Sequence, residues 1–263
     1  MPEGDTVWRA AQMLDRALSG KVLTSTDFRV PAYATWDLTG AEAQETISRG
    51  KHLLTRIGAD QLWTLHTHLK MEGTWRVLDP GHRWPRPGHT ARVVLETADK
   101  VAVGFQLGIV EIVAREREPE IVGHLGPDLL GPDWDPAEAV GRLCEQPERT
   151  VKEALLDQRN LAGIGNIYAD ELCFVSGVAP TTPVGRVPDL ARLVGRARQM
   201  LDLNRHRAVQ STTGDLGRGR TFWVHGRRGQ VCRRCGTPIV ETMLGEPGRE
   251  RVTYHCPSCQ RVL

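Results

Sequence analysis

No run of apolar residues in this 263-residue chain approaches the roughly 18 that a membrane-spanning helix needs. The N-terminus is acidic, with Glu3 and Asp5, and lacks the apolar core of a secretory signal, so the cytoplasm is the expected compartment. Internal repeats and low-complexity tracts are absent, which leaves ordinary globular domains. Aromatic residues make up only 5% of the chain, and no aromatic stacking motif for single-stranded RNA stands out. From Gly217 to the end there is no lysine at all. That stretch holds nine arginines (218, 220, 227, 228, 233, 234, 249, 251 and 261) against three glutamates, a net +6 in a chain whose total is +2. A solvated surface is the ordinary reading of a charged stretch. Guanidinium groups, however, suit bidentate contacts with phosphate, so an arginine-only basic tail favours nucleic acid.

Cysteine is scarce but not scattered. Cys232, Cys235, Cys256 and Cys259 form "CRRC" and "CPSC" with twenty residues between the pairs. Four thiolates at this spacing match the tetrahedral shell of structural Zn²⁺, and a complete sulfur shell leaves no open position for catalysis. A reducing compartment argues against disulfides. Cys144 and Cys173 fall in helical patterns and are expected to be small buried hydrophobes.

Along the chain, residues 1–20 read as a helix with Asp5 as a cap, a stripe of Val7, Ala11, Leu14 and Leu18, and a stop at Gly20. From Lys21 to about Val113 come short alternating or β-branched runs punctuated by Gly, Pro and Asp, the pattern of an antiparallel sandwich or barrel. "GHLGPDLLGPDWDP" reads as a linker. Helical segments follow, one of them opened by a Thr150/Glu153 capping box. In "LLDQRNLAGIGNIYADEL" one helix is expected to end near Leu161. "GIG" then makes a tight turn on Gly163 and Gly165, and Asn166 caps the next helix. Such a turn can grip one phosphate, though it also suits a plain helix–helix connection.

The opening "MPEGDTVWRA" carries a second question. A proline behind the initiator methionine is either a stiff N-terminus or, once methionine is removed, a secondary amine able to attack carbon.

"PEG", "RGKHLL", "HLKMEG", "DQRNLAGIGNIYADE" and the four-cysteine tail with "RVTYHCPSCQ" occur in this order over the whole chain. Together they resemble the formamidopyrimidine-DNA glycosylase / endonuclease VIII family of bacterial base-excision repair enzymes. "PEGD", "RGKHLLTRI" and "GTWRV" lean towards the endonuclease VIII branch. The resemblance implies an α+β multidomain fold: an N-terminal antiparallel β-sandwich with a leading helix over 1–121, a linker over 122–134, a helix–two-turn–helix domain over 135–215, and a zinc β-hairpin over 216–263.

It also implies a bifunctional DNA glycosylase/AP lyase. Pro2 would be the nucleophile and Glu3 the acid–base group, with Lys51 assisting at the phosphate beside the lesion. His68, Asn166 and Arg251 would contact phosphates, and Met71 would be the wedge that fills the space of a flipped base. One structural Zn²⁺ would sit on Cys232, Cys235, Cys256 and Cys259. The partner would be damaged DNA, without a membrane, and the protein a nucleoid-associated monomer.

Thr6 stands where many relatives have a glutamate, which puts any role of that carboxylate in doubt. "GFQLGIVEI" has no Arg-x-Phe pair, and the loop at "STTGDLGRGR" is short. Both departures favour oxidised pyrimidines over oxidised purines. The competing reading is a non-catalytic zinc protein that binds abasic or distorted DNA; it would need Asn166 and Arg251 but neither Pro2 nor Glu3. An RNA-directed zinc-ribbon protein is a third.

Overall fold

Apolar residues recurring every three or four positions from Val7 to Leu18 build the first helix, α1 (Gly4–Leu18), and all four of its stripe residues are buried. The computed structural model describes residues 2–58 and 61–262. Glu3, not Asp5, occupies the N-cap position, and it makes no side-chain capping bond. Asp5 lies in the first turn and is fully buried.

Two compact units follow each other along the chain, Met1–His124 and Leu125–Leu263. In the first, the strands are β1 (Lys21–Val22), β2 (Ser25–Phe28), β3 (Glu42–Arg49), β4 (His52–Gly58), β5 (Leu62–His68), β6 (Thr74–Leu78), β7 (Ala91–Glu96), β8 (Val101–Phe105) and β9 (Ile109–Ala114). They form two antiparallel sheets of order β1-β3-β4-β5-β9 and β2-β7-β8-β6. One core joins them to α1: Leu53, Ile57, Leu65 and Ile112 from the first sheet meet Phe28, Trp75, Val93 and Leu95 from the second. The indole of Trp75 is buried there, and its N–H donates to Thr67 Oγ1 at 3.2 Å.

Register decides what the other face of the first sheet carries. His52 pairs with His68, Leu54 with His66, Arg56 with Thr64, and His66 with Glu111. Directly opposed residues share a face, so this face collects histidines, a carboxylate and Arg56, while the core face is apolar apart from threonines such as Thr55 and Thr67. A short helix, α2 (Glu118–Val122), adds to it: Glu118 accepts from Arg56 Nη2 at 2.6 Å and from Thr64 Oγ1 at 2.9 Å.

The second unit holds α3 (Pro136–Cys144), α4 (Val151–Leu156), α5 (Asn166–Ser176), α6 (Leu190–Arg205) and a hairpin of β10 (Val240–Leu244) and β11 (Arg251–His255). Helix α4 ends at Leu156, five residues before the expected stop. Asp157 explains this: its side chain accepts from Arg159 and Arg149, and the chain leaves the helix to make those bonds. Leu125–Leu129 are buried, and Leu129 belongs to the helical core, so the Gly/Pro-rich "GHLGPDLLGP" segment is in part packed chain. Cys173 is buried as expected, and burial pushes its thiol up to about 12. Cys144 is not: at the end of α3 it faces solvent, because the stripe of that short helix is Ala139 and Leu143.

Helix α5 is buried along Ile167–Phe174, including two carboxylates in the middle of an apolar run. Asp170 accepts from Lys152 Nζ at 2.6 Å and from His225 Nδ1 at 2.7 Å. Glu171 accepts from the backbone N–H groups of Trp223, Val224 and His225, each at 2.8 Å, and from the Thr212 hydroxyl. These bonds fasten the loop before the cysteine hairpin onto the helices, so helices and hairpin form one unit.

Among the described residues no helix is long and apolar enough to cross a membrane. Glu171→Gln replaces an acceptor by a donor facing three N–H groups. The substitution is expected to destabilise the protein by about 2–3 kcal/mol in urea unfolding, and to speed tryptic cleavage at Arg218 and Arg220. An unchanged midpoint would contradict the fastening role.

Candidate active site and nucleic-acid interface

Pro2 is half-buried at the start of α1, and Glu3 is fully buried beside it. The Glu3 carbonyl accepts the Val7 N–H at 3.0 Å, which closes the first turn of the helix. Pro2 therefore continues directly from a fixed backbone. Thr6 is half-buried in the same turn.

Lys51 occupies the two-residue turn between β3 and β4, whose flanking pair is Arg49 and His52. Gly50 takes φ +57° there. A two-residue hairpin turn matched to strand twist needs that left-handed conformation at its first position, and glycine adopts it without cost. The turn sets Lys51 beside His52 and hence close to His68 on the neighbouring strand.

The histidines of this face are ordered by their hydrogen bonds. Glu111 Oε2 lies 2.8 Å from His66 Nδ1, so that nitrogen carries the proton. His66 Nε2 is then the acceptor for His52 Nδ1, 2.9 Å away. His68 Nδ1 accepts the Lys70 N–H at 2.9 Å, which leaves Nε2–H as its donor, and its ring packs edge-on against His52. A neutral His68 is thus set to donate one hydrogen bond outward. Burial first, and the crowding of the neighbouring histidines second, pulls His52 down to about 3; burial first, and Lys70 second, pulls His68 to about 4. Burial also lowers His66, with Glu111 opposing.

Met71 follows in the turn between β5 and β6, and its side chain is 67% exposed. An apolar side chain left in water on a tight turn is free to insert elsewhere.

In the second unit the expected phosphate contacts come together on the hairpin. Asn166 does not cap α5; Gly165 does, and Asn166 is the first helical residue. Of the two glycines in "GIG", Gly163 takes φ +112°, whereas Gly165 is extended at φ −126°. The Asn166 amide donates to the Val252 carbonyl at 2.8 Å, and Lys152 Nζ donates to the same carbonyl at 2.9 Å and to Thr253 Oγ1 at 2.8 Å. Both side chains thereby hold the residues next to Arg251. Its second amide hydrogen and the backbone N–H groups of the first helical turn are what Asn166 can offer a phosphate.

Arg251 lines a cleft of about 490 Å³ with Arg149, Arg159 and Arg249. The sequence reading passed over these three, although the arginine excess of the tail pointed to one of them. Lys152, Asp170 and Glu171 were also missed. Their signal was charge inside otherwise apolar helical runs, "VKEALL" and "IYADELCFV".

The four tail cysteines converge, with all sulfur atoms within 4.8 Å of one another. Cys232 and Cys259 Sγ are 3.9 Å apart, and Cys235 and Cys256 Sγ 3.4 Å. These separations exclude disulfides, whose S–S length is about 2.05 Å. They fit a shared metal, since four sulfurs about 2.3 Å from one zinc ion stand roughly 3.8 Å apart. The donor set and spacing therefore fit a tetrahedral thiophilic ion.

Residues 1–106 match the formamidopyrimidine-DNA glycosylase N-terminal domain, and residues 125–206 the formamidopyrimidine-DNA glycosylase H2TH domain. A probable endonuclease 8 2 of Streptomyces coelicolor is 53% identical over 99% of this chain and 94% of its own. The DNA-(apurinic or apyrimidinic site) lyase Nei2 of Mycolicibacterium smegmatis is 54% identical over 99% of both chains. Among solved structures, the Lactococcus lactis Fpg in complex with abasic-site DNA shares the fold at a TM-score of 0.79, with 24% identity over 98% of this chain and 99% of that one. MutM in complex with DNA containing carbocyclic 8-oxo-G reaches a TM-score of 0.81, also at 24% identity, over 99% of this chain and 100% of that one.

The histidine face makes stability depend on pH. His52, His66 and His68 are held neutral in the fold, whereas in the unfolded chain they titrate near pH 6.5. The unfolded state therefore binds more protons below that value. Stability is fully present above about pH 6.5 and is lost as the pH falls towards 4. The urea midpoint is expected to drop between pH 7 and pH 4.5, and to drop less in His52→Asn, which keeps a donor to His66 but cannot titrate. Equal slopes in the two proteins would contradict the assignment.

Proposed function

The chain belongs to the formamidopyrimidine-DNA glycosylase and endonuclease VIII family, on its endonuclease VIII side, and on that premise we propose that it removes oxidised bases from DNA and then cuts the strand. The observation that carries this reading is the start of α1, where a proline that loss of the initiator methionine would turn into a terminal amine is followed at once by a fully buried carboxylate. An α-amino group titrates near pH 8, so a useful share is unprotonated at neutral pH.

The Pro2 nitrogen lone pair attacks C1′ of the flipped-out nucleoside. The glycosidic bond breaks, the base leaves with the bonding pair, and it takes up the proton that the attacking nitrogen gives up, which restores the nitrogen's lone pair. Glu3 protonates the ring oxygen, the sugar opens, and the nitrogen becomes an iminium. That cation acidifies the 2′ hydrogen; its loss as a proton expels the 3′ phosphate, and a second elimination expels the 5′ phosphate. Water then releases the sugar remnant and restores the amine.

Lys51, with its ammonium close to His68, and the His68 Nε2–H are the donors for phosphates beside the lesion; Arg251 and the first turn of α5 serve the same purpose in the second unit. Met71 fills the space that the flipped base leaves. The four cysteines take Zn²⁺. Bound there, the ion supplies no reaction chemistry; it pins the hairpin that presents Arg251. Oxidised pyrimidines are the proposed substrates, supported by the endonuclease 8 relatives and by the absence of an Arg-x-Phe pair between Phe105 and Ile112.

Borohydride trapping on a lesion panel tests the reading. The native protein is expected to form a covalent adduct with abasic duplex and to release oxidised pyrimidines faster than 8-oxoguanine. Glu3→Gln is expected to release base at least about a hundredfold more slowly. Tight binding without any trapped species would overturn the enzymatic reading, and a preference for 8-oxoguanine would overturn the lesion class.

A further inference from the structure

Lys70 (φ +53°) and Gln106 (φ +49°) are the only described non-glycine residues in the left-handed region, and they lie in two turns that touch. Lys70 precedes Met71 in the turn between β5 and β6. Gln106 sits in the turn between β8 and β9. The Gly108 N–H donates to the His68 carbonyl at 2.9 Å, and a Cβ on Gly108 would run into Lys70 Cγ, so the turns are in close contact. The Gln106 N–H donates to the Thr90 carbonyl at 2.8 Å, which fixes its backbone from a third side. Left-handed conformations of ordinary residues persist only where the surroundings over-determine them.

The side chains complete the contact. Gln106 Nε2 donates to Glu72 Oε2 at 3.1 Å, and Gln106 Oε1 accepts from Arg86 Nη1. Arg86 Nη1 also donates to the Glu72 carbonyl at 3.2 Å. A carboxamide is the one side chain here that can answer a carboxylate with a donor and a guanidinium with an acceptor at once. Glu72 is the residue after Met71. Both bonds to Glu72 are exposed and the bond between Arg86 and Gln106 is partly buried, so each is modest taken singly. Together they hold the Glu72 side of an exposed methionine, while the Gly108 contact with Lys70 holds the other.

We propose that Glu72, Gln106 and Arg86 form a clamp that holds Met71 in the pose needed to enter a DNA duplex, so that Gln106 is a positioning residue for lesion extrusion. The inference rests on Met71 being the wedge. It separates two steps: extruding a base from a stacked duplex requires the clamp, whereas chemistry on an abasic sugar in single-stranded DNA does not, because nothing has to be displaced there.

Gln106→Gly is the test. It removes the side chain while suiting the left-handed backbone, so thermal stability is expected to hold or rise. Base release from a duplex carrying an oxidised pyrimidine is expected to fall at least about tenfold, in line with the sensitivity of catalysis to small misplacement. Borohydride trapping on single-stranded abasic DNA is expected to stay within about twofold of native. A fluorescent base analogue opposite or beside the lesion is expected to report slower unstacking.

Gln106→Glu, which keeps the bond to Arg86 but repels Glu72, is expected to show the same duplex-specific loss. Equal activity of native and Gln106→Gly on both substrates, with Met71→Ala impaired on duplex, would overturn the clamp and leave the wedge standing. An unimpaired Met71→Ala would overturn both. Parallel losses on duplex and single strand would also overturn the clamp.

Discussion

A nucleophile that is part of the backbone cannot reach for its target. A lysine or cysteine has rotatable bonds to carry its reactive atom outward; the nitrogen of Pro2, the proposed nucleophile, has none. Its position is whatever the following helix dictates, and the burial of α1 is therefore the constraint on which the rest depends. Val7, Ala11, Leu14 and Leu18 lock the helix against the sandwich, and the Glu3 carbonyl closes its first turn. Glu3, Gly4 and Asp5 are all buried there, so the first turn has little freedom to fray.

In the proposed grip on DNA, the second unit meets the same problem for a flexible side chain. Arginine loses much rotamer freedom when it grips a phosphate, and a mobile loop would add its own entropy to that cost. Here the residues after Arg251 are tied to α4 and α5 through Lys152 and Asn166 on the Val252 carbonyl, while the cysteine cluster closes the other end of the hairpin. Lys152 and Asp170 are almost wholly buried as an ion pair. Such a pair contributes little net stability against an apolar alternative, but removing one partner is costly, which suits a joint that must hold one geometry.

What the sequence made legible was what has a period or a spacing. The α1 stripe, the short alternating strands and the paired Cys-x2-Cys motifs each follow from a repeat distance that local chemistry imposes. The cap assignments failed at Asp5 and Asn166 because each helix starts one or two residues before that side chain, and at Asn166 a bond to the Val252 carbonyl draws it elsewhere. Cys144 was misjudged because a nine-residue helix has room for only a narrow buried stripe.

The histidine–glutamate row across β4, β5 and β9, and the meeting of Glu72 with Gln106, depend on strand register and on turns far apart in the chain. No local pattern carries that information. Pro2 and Glu3 entered the proposal for a different reason. A proline behind methionine offers a secondary amine once the methionine is removed, whatever the fold does.

The central claim is that the chain's own terminal nitrogen becomes bonded to the sugar. Peptide mapping of the borohydride-reduced complex with abasic DNA tests it most directly. The account predicts a sugar remnant on the peptide that begins at Pro2, with the initiator methionine gone. A remnant on the Lys51 peptide, or an active protein that retains Met1, would contradict it.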